Sequence, residues 1–283
     1  MTKDKKIIFV ASYPKSGNTW VRIIISSLLN NNKGLFEIKD LEKIKLFSQY
    51  VYFSHFKNLN YQSNGNLDFK YVTNNWINAQ KRINEKSKRI RFFKTHSVRG
   101  VINGKFFTNE EVCLGYIYIF RDPRDVAISF SKHLGVSIDQ AIEIMLFNNQ
   151  YTTSALKVNE PVCTWKNHFD SWLDFKNVSH MIIKYEDVLE NYRKTISDII
   201  KFLNHFSEIN IKDDEKLLNN ILKSTDFARL KKMEKQKGFK EASTHSKFFR
   251  EGKSGQWKKI LTNSQIKQIE KELYQPMKKL GYL

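Results

Sequence analysis

Ile7-Ile8-Phe9-Val10-Ala11-Ser12-Tyr13-Pro14-Lys15-Ser16-Gly17-Asn18-Thr19-Trp20 is the stretch on which the fold turns. Ile7 to Ala11 is a short apolar run of the kind that fills a buried strand. Ser12 to Asn18 is a polar turn, and Val21, Ile24, Ile25, Leu28 and Leu29 then recur at helical spacing. A strand therefore passes through a loop into an amphipathic helix. In such a loop the backbone N–H groups, the Ser16 and Thr19 hydroxyls and the positive end of the following helix all favour an anion. Lys15 adds a full charge. That lysine precedes the single Gly17, whereas the nucleoside triphosphate loop G-x-x-x-x-G-K-[ST] places it after the second glycine. The loop is P-loop-like, and a kinase or ATPase reading loses ground.

Working outward, Arg91 to Thr95 and Gly115 to Phe120 read as further strands. The second leads through Asp122-Pro123 into a helix carrying Val126, Ala127 and Phe130. Ser137 and Gln140 fit a capping box for a helix through Ile142, Met145 and Leu146. His180 to Lys184 is the next strand, Ile196, Ile199, Ile200 and Leu203 mark the helix after it, and Ile266, Ile269 and Leu273 mark a C-terminal one. Strands alternating with helices predict an α/β fold with a mainly parallel central sheet flanked by helices. Ligands of such sheets sit beyond the carboxyl ends of the strands. Residues 33 to 90 and 231 to 256 carry weaker periodicity and read as surface insertions.

The 283 residues, 41% hydrophobic and 13% aromatic, suffice for a sizeable core, so disorder is excluded as the main state. With 4 Pro and 11 Gly and no repeat or linker, a single domain is expected. The longest uncharged apolar stretch, Cys113 to Phe120, is far short of the roughly 20 residues of a bilayer span. The N-terminal MTKDKK leads into a strand, so no membrane span and a cytoplasmic location are expected. Two cysteines, Cys113 and Cys163, build neither a disulfide framework nor a four-cysteine metal site. The 48 basic against 29 acidic residues give +19, a charge that attracts something anionic.

The loop Tyr13 to Trp20 resembles the phosphosulfate loop of the sulfotransferases that use 3′-phosphoadenosine 5′-phosphosulfate (PAPS), above all the soluble cytosolic type, in which it reads close to YPKSGTTW. Asn18 stands where that family usually has threonine. Lys94-Thr95-His96 resembles the family's K-T-H segment, and Arg121-Asp122-Pro123-Arg124-Asp125-Val126-Ala127-Ile128-Ser129 resembles its R-[ND]-P-[KR]-D-V-[AL]-V-S segment. Tyr185-Glu186-Asp187 resembles Y-E-D, Thr225-Asp226-Phe227 resembles T-S-F, and the segment Phe249 to Trp257 resembles F-R-K-G-x-x-G-[DQ]-W. Glu251 puts an acid where a lysine is common. The matching segments extend from residue 12 to residue 257, so the resemblance implies a sulfotransferase domain over residues 1–283.

The resemblance implies sulfuryl transfer from PAPS to a hydroxyl or amine of an acceptor, in line, with His96 as general base. An unperturbed imidazole pKa of about 6.5 suits that task at neutral pH. Lys15 and Lys94 are assigned to the phosphosulfate and the sulfuryl oxygens, with Ser16, Gly17, Asn18 and Thr19 in the loop. Arg121, Ser129 and Arg250, followed by Glu251 and Gly252, are assigned to the 3′-phosphate, where guanidinium forks match phosphate oxygens. Trp20, Tyr185, Thr225 and Phe227 are assigned to the adenine side, with ordinary core packing as the competing reading for the aromatics. Trp165, His168 and Trp172 resemble a packing helix of the family, and Arg124 and Asp125 are expected to make local turn contacts. No cluster has metal-ligand spacing, so no metal is expected.

The resemblance places the acceptor pocket among residues 33 to 90, 134 to 160 and 231 to 249, where Phe53, Phe56, Phe147 and Tyr151 stand open between pocket and core. His96 as the base leans toward a small hydroxylated acceptor, an analogy at fold level. A basic nucleic-acid-binding protein is the alternative that +19 suggests, but the charge is spread along the chain with no reading module, so no nucleic acid is expected as partner.

Overall fold

A computed structural model describes residues 5–30, 34–148, 151–153, 158–239, 241–242, 247–249 and 251–283. The chain begins with β1 (Ile7–Ser12) and α1 (Asn18–Asn30), then β2 (Lys45–Leu46), α2 (Tyr50–Phe53), α3 (Phe69–Asn74), α4 (Trp76–Lys86) and β3 (Arg91–Thr95). A hairpin of β4 (Val101–Ile102) and β5 (Lys105–Phe106) precedes β6 (Cys113–Phe120), α5 (Pro123–Leu134) and α6 (Ile138–Phe147). A second hairpin, β7 (Tyr151–Thr153) with β8 (Asn159–Pro161), leads to α7 (Trp165–Leu173), β9 (Ser179–Lys184), α8 (Tyr185–Glu190) and α9 (Tyr192–Asn204). The chain ends in α10 (Glu215–Ser224), α11 (Phe227–Lys237), α12 (Trp257–Ile260), α13 (Asn263–Glu272) and α14 (Tyr274–Lys279). The described residues fall into two compact units, one drawn from within residues 1–13, 43–119 and 148–182 and the other from within residues 14–42, 120–147 and 183–283.

The first unit is built on the expected sheet, of order β2-β3-β1-β6-β9. β1 runs parallel to β3 from Ile7↔Arg91 to Ala11↔Thr95, and parallel to β6 on its other side up to Ser12↔Ile119. Ile7 to Ala11 are wholly buried, as an unbroken apolar run in a parallel sheet requires. Because β3 and β6 lie on opposite sides of β1, the strand order reverses at their carboxyl ends, where Ser12 and Thr95 stand. The core beside the sheet is aromatic: Phe9 meets Phe47 at 5.5 Å, Phe107 at 5.3 Å and the Trp172 ring of α7 at 6.1 Å, and Trp76 of α4 meets Phe107 at 5.5 Å.

Part of the 33–90 segment read as a surface insertion belongs to this core. Phe47, Phe53, Trp76 and Ala79 are buried, and Gln80 carries an amide into the interior, where it donates to the Phe107 carbonyl at 2.6 Å and accepts from Thr108 Oγ1 at 2.6 Å. A buried glutamine and irregularly spaced aromatics blur the helical period without making the segment superficial. Of the proposed pocket aromatics, Phe53 is core, Phe56 is half-buried and Phe147 is exposed. The Tyr151 side chain lies outside the described residues.

The second unit is helical. α1 packs on α9 and α10, α5 on α6, and α13 on both α5 and α6. The sequence sets the ends of these helices. Asp122 caps α5 by accepting the Arg124 N–H at 2.9 Å, Pro123 occupies the first turn, and Gly135 ends the helix at φ +70. Ser137 and Gln140 close the expected capping box at 3.1 and 2.9 Å. Arg124 and Asp125 reach much further than a local turn. Arg124 pairs with Glu270, donates to the Tyr282 carbonyl and lies 3.7 Å over the Trp257 ring. Asp125 accepts the Gly255 and Trp257 N–H groups at 2.7 and 3.0 Å. These two side chains pin the C-terminal segment to the start of α5.

Candidate active site

At the carboxyl end of the sheet, in the first unit, His96 follows β3 directly. Its Nδ1 lies 2.8 Å from the Ser12 carbonyl oxygen and 3.4 Å from Ser12 Oγ. A carbonyl oxygen only accepts, so Nδ1 carries the proton and the neutral ring keeps its lone pair on Nε2. Lys94, half-buried one position before the end of β3, acts electrostatically on Glu160.

The backbone around His96 is clamped from one stretch of chain. Glu160 Oε1 accepts from Thr95 Oγ1 at 3.0 Å, from the His96 N–H at 3.1 Å and from Ser97 Oγ at 3.5 Å. His168 Nε2 donates to the His96 carbonyl at 3.1 Å, which leaves its Nδ1 to accept from the Tyr118 hydroxyl at 3.0 Å. Trp172 Nε1 donates to the Ser97 carbonyl and the Val98 N–H to the Pro161 carbonyl. His168 and Trp172 thus do more than pack a helix. Burial pushes the Glu160 carboxyl up, opposed by the His96 N–H, the Lys94 charge and the Thr95 and Ser48 hydroxyls. Burial also pushes His168 down to about 3, so it is a neutral ring. Glu160 escaped the sequence reading; its one signal is a lone acid beside the apolar Pro161-Val162.

In the second unit the loop and its partners form a cradle. Lys15 at φ +68 and Gly17 at φ +102 both adopt left-handed backbone, and Trp20 N and Val21 N close the first turn of α1 on the Gly17 carbonyl. Strain of this kind persists where surrounding structure over-determines it, commonly at binding sites. A Cβ on Gly17 would lie 2.5 Å from Tyr185 Cδ2, so only glycine admits the Tyr185 ring against the loop. Gly252, at φ +60, is pressed in the same way on Phe227, where a Cβ would lie 2.6 Å from the ring. Trp20 links the two, 6.1 Å from each of the Tyr185 and Phe227 rings. Its indole N–H points to Tyr192 Oη at 3.1 Å and the Thr225 carbonyl at 3.2 Å.

Arg121 lies 4.5 Å over the Tyr185 ring and donates to the Lys253 carbonyl at 2.9 Å, so the segments carrying Arg121, Tyr185 and Gly252 converge. Ser129 lies two turns along α5, nearly buried. Thr225 is fully buried. Its hydroxyl donates to the Ile221 carbonyl and meets the Tyr192 hydroxyl, so it supports the neighbours of Trp20. Glu251 is exposed, and Arg250 lies outside the described residues. The Thr19 hydroxyl donates to Glu241, and the Lys15 ammonium lies 4.7 Å from the Phe248 ring centre.

Two buried polar atoms test whether this cradle fits an anion. Ser16 Oγ in the loop and Arg121 Nε have no hydrogen-bond partner among the described residues, although both are shielded from water. Buried donors are ordinarily satisfied, and a phosphate oxygen would satisfy each. The two unsatisfied donors therefore fit oxygen acceptors of an anion such as a phosphate. Among the described residues no group of three or more His, Cys, Asp or Glu side chains could hold a metal ion, and no helix is long and apolar enough to cross a membrane.

Known proteins share this architecture. Sulfotransferase 1B1 of Canis lupus familiaris is 28% identical over 279 residues, covering 93% of this chain and 80% of that protein. Sulfotransferase 1E1 of Bos taurus is 25% identical over 288 residues, covering 96% and 83%. The crystal structure of mouse sulfotransferase SULT7A1 complexed with PAP superposes with a TM-score of 0.59 at 20% identity, covering 97% of this chain and 84% of that one. Retinol dehydratase in complex with androsterone and PAP superposes with a TM-score of 0.63 at 19% identity, covering 96% and 81%. The sulfotransferase domain profile matches residues 5–281, through both compact units, and on that match the chain belongs to the sulfotransferase family.

Proposed function

We propose that this sulfotransferase moves a sulfuryl group from PAPS to a hydroxyl, or an amine, of a small acceptor by in-line displacement, with His96 as general base. One observation carries the assignment of the base: the Ser12 carbonyl holds the Nδ1 proton of His96, so Nε2 is the basic atom of the neutral ring. When bound, PAPS supplies the transferable SO3 group and a phosphate leaving group. Ser16 and the first-turn amides of α1 bind the 5′ side, Arg121 with Ser129 the 3′-phosphate, and Trp20, Tyr185 and Phe227 the base. Lys15 and Lys94 offset the negative charge that grows in the transition state. The orphaned Ser16 and Arg121 atoms support the two-phosphate reading. One structural neighbour, retinol dehydratase, has been solved with PAP beside androsterone and beside retinol, which supports a small hydroxylated acceptor here. We further propose that residues 1–283 work as one sulfotransferase domain and that the protein is cytoplasmic, where its free Cys113 and Cys163 would stay reduced.

Thermal unfolding with PAP, ATP and 5′-AMP in parallel tests the cofactor. Ligand at about 100 times its Kd should stabilise the fold by roughly 2.7 kcal/mol, with PAP alone giving the large shift. Equal shifts with ATP would point to a general nucleotide enzyme, and a steep salt dependence with no PAP response to a nucleic-acid binder. His96→Ala is then expected to abolish transfer from radiolabelled PAPS to a panel of phenols and alcohols while sparing PAP binding. Near-normal turnover would remove His96 from the mechanism.

A further inference from the structure

We propose that Glu160 is the positioning residue for the His96 imidazole, acting through Thr95 and the His96 main chain. The inference rests on His96 being the base.

A side chain at a strand end is aimed by the peptide planes on both sides of its Cα and by its own two torsions. Before His96, the plane is fixed by Glu160 Oε1, which takes the His96 N–H at 3.1 Å. The same oxygen takes the Thr95 hydroxyl at 3.0 Å, and Thr95 Oγ1 in turn accepts the Ser97 N–H at 2.9 Å, so one carboxylate oxygen ties three consecutive residues. After His96, the plane is fixed by His168 Nε2 on the His96 carbonyl. With both planes held, the ring has only its torsions left, and the Ser12 carbonyl on Nδ1 sets those. Thr95, Ser97 and Glu160 are all nearly or fully buried, so water does not replace a lost partner.

A carboxylate suits this place because its oxygen lone pairs accept several donors while adding none of its own. Here Oε1 faces two hydroxyls and an amide N–H. A glutamine retains an acceptor oxygen at the same reach, whereas an alanine leaves the Thr95 hydroxyl and the His96 N–H without it. Without that anchor the His96 peptide is free to turn, the Nδ1 contact with Ser12 loosens and Nε2 is no longer aimed. Misplacement by about an ångström typically costs on the order of 100-fold in rate.

The test compares full-length wild type, Glu160→Gln and Glu160→Ala by nitrogen-15 NMR of labelled histidine above pH 7.5, with the His96 signal identified by its loss in His96→Gln. PAP calorimetry and turnover of whichever phenol the wild type sulfates accompany it. The wild type and Glu160→Gln should show the Nδ1–H tautomer; Glu160→Ala should show both tautomers averaged and lose on the order of 100-fold in kcat, with PAP affinity unchanged. Should Glu160→Ala not fold, Glu160→Asp, which withdraws the carboxylate by one methylene, is expected to show the same signature. A wild-type tautomer and kcat in the truncated variant would overturn the proposal. So would Glu160→Gln behaving as badly as Glu160→Ala, or a parallel fall of kcat, PAP affinity and thermal stability. Failure of the wild type to bind PAP would instead overturn the functional reading, and the tautomer measurement would still decide the role of Glu160.

Discussion

The Thr19 hydroxyl donates to Glu241 Oε2 at 2.7 Å, while Oε1 of the same carboxylate pairs with buried Arg22 at 2.6 Å. An internal carboxylate therefore stands on a hydroxyl assigned to the phosphosulfate, in the first turn of α1. A carboxylate and a phosphate both accept from a hydroxyl, so the two compete for Thr19. Glu241→Gln keeps the shape and removes the charge. Its affinity for PAP is expected to rise about tenfold, equivalent to about 1.4 kcal/mol, by titration calorimetry. Weaker binding would show that Glu241 is needed to hold the cradle together.

The two glycines that lie on aromatic rings predict a second result. Gly17→Ala would force a methyl to 2.5 Å from Tyr185, and Gly252→Ala one to 2.6 Å from Phe227, each also in left-handed backbone. Gly65, at φ +78 with nothing within 4 Å of its would-be Cβ, lies in an exposed turn of the first unit and controls for the general cost of alanine at positive φ. PAP affinity is expected to fall roughly 10- to 100-fold for Gly17→Ala and Gly252→Ala, and to stay at the wild-type value for Gly65→Ala. Equal affinities across all three would mean that the rings do not form the base-binding wall.

What was legible in the sequence follows from how far apart the cooperating residues lie. The β1-loop-α1 unit is local: a buried parallel strand shows itself as Ile7 to Ala11, and the helix by its period. The start of α5 and the Ser137–Gln140 box are local for the same reason. The supports of the site are not. Glu160 meets His96 across 64 residues, Asp125 meets Gly255 across 130 and Thr19 meets Glu241 across 222. No window of sequence contains both partners, and an isolated Glu or Asp carries no mark of the amide it will accept. Thr225 was local in motif, yet the direction of its hydroxyl was not legible. Its carbonyl takes the Trp20 indole N–H, while its hydroxyl turns back onto its own helix.

Lys15 combines a charge with a left-handed φ of +68, so two substitutions are needed to read it. Lys15→Ala removes the charge and the stem, and Lys15→Met keeps the length while removing only the charge. Loss of one transition-state contact of this kind costs on the order of 3 kcal/mol, so kcat should fall about 100-fold in both variants. A normal kcat in Lys15→Met beside a fall in Lys15→Ala would mean that the length of the side chain matters and the ammonium beside Phe248 does not.

His168 makes the stability of the fold depend on pH in a direction that can be worked out. Burial lowers its pKa to about 3, against about 6.5 for an unfolded histidine. Between those values the unfolded chain binds a proton that the folded one refuses, so stability is fully present above about pH 6.5 and falls as pH drops. The slope is about 1.4 kcal/mol per pH unit. Asp125, Glu160 and Glu186 act in the opposite sense. Burial raises each, so the folded state holds their protons longer and loses stability as pH rises through their folded values. The net profile mixes both effects, and a difference between proteins isolates one. His168→Gln keeps an N–H able to reach the His96 carbonyl but cannot titrate. Urea unfolding of wild type and variant should therefore give stabilities whose difference shifts by about 2 kcal/mol against the wild type between about pH 6.5 and pH 5. A constant difference would show that His168 takes up a proton as readily in the folded protein as in the unfolded chain, so that burial does not hold it neutral.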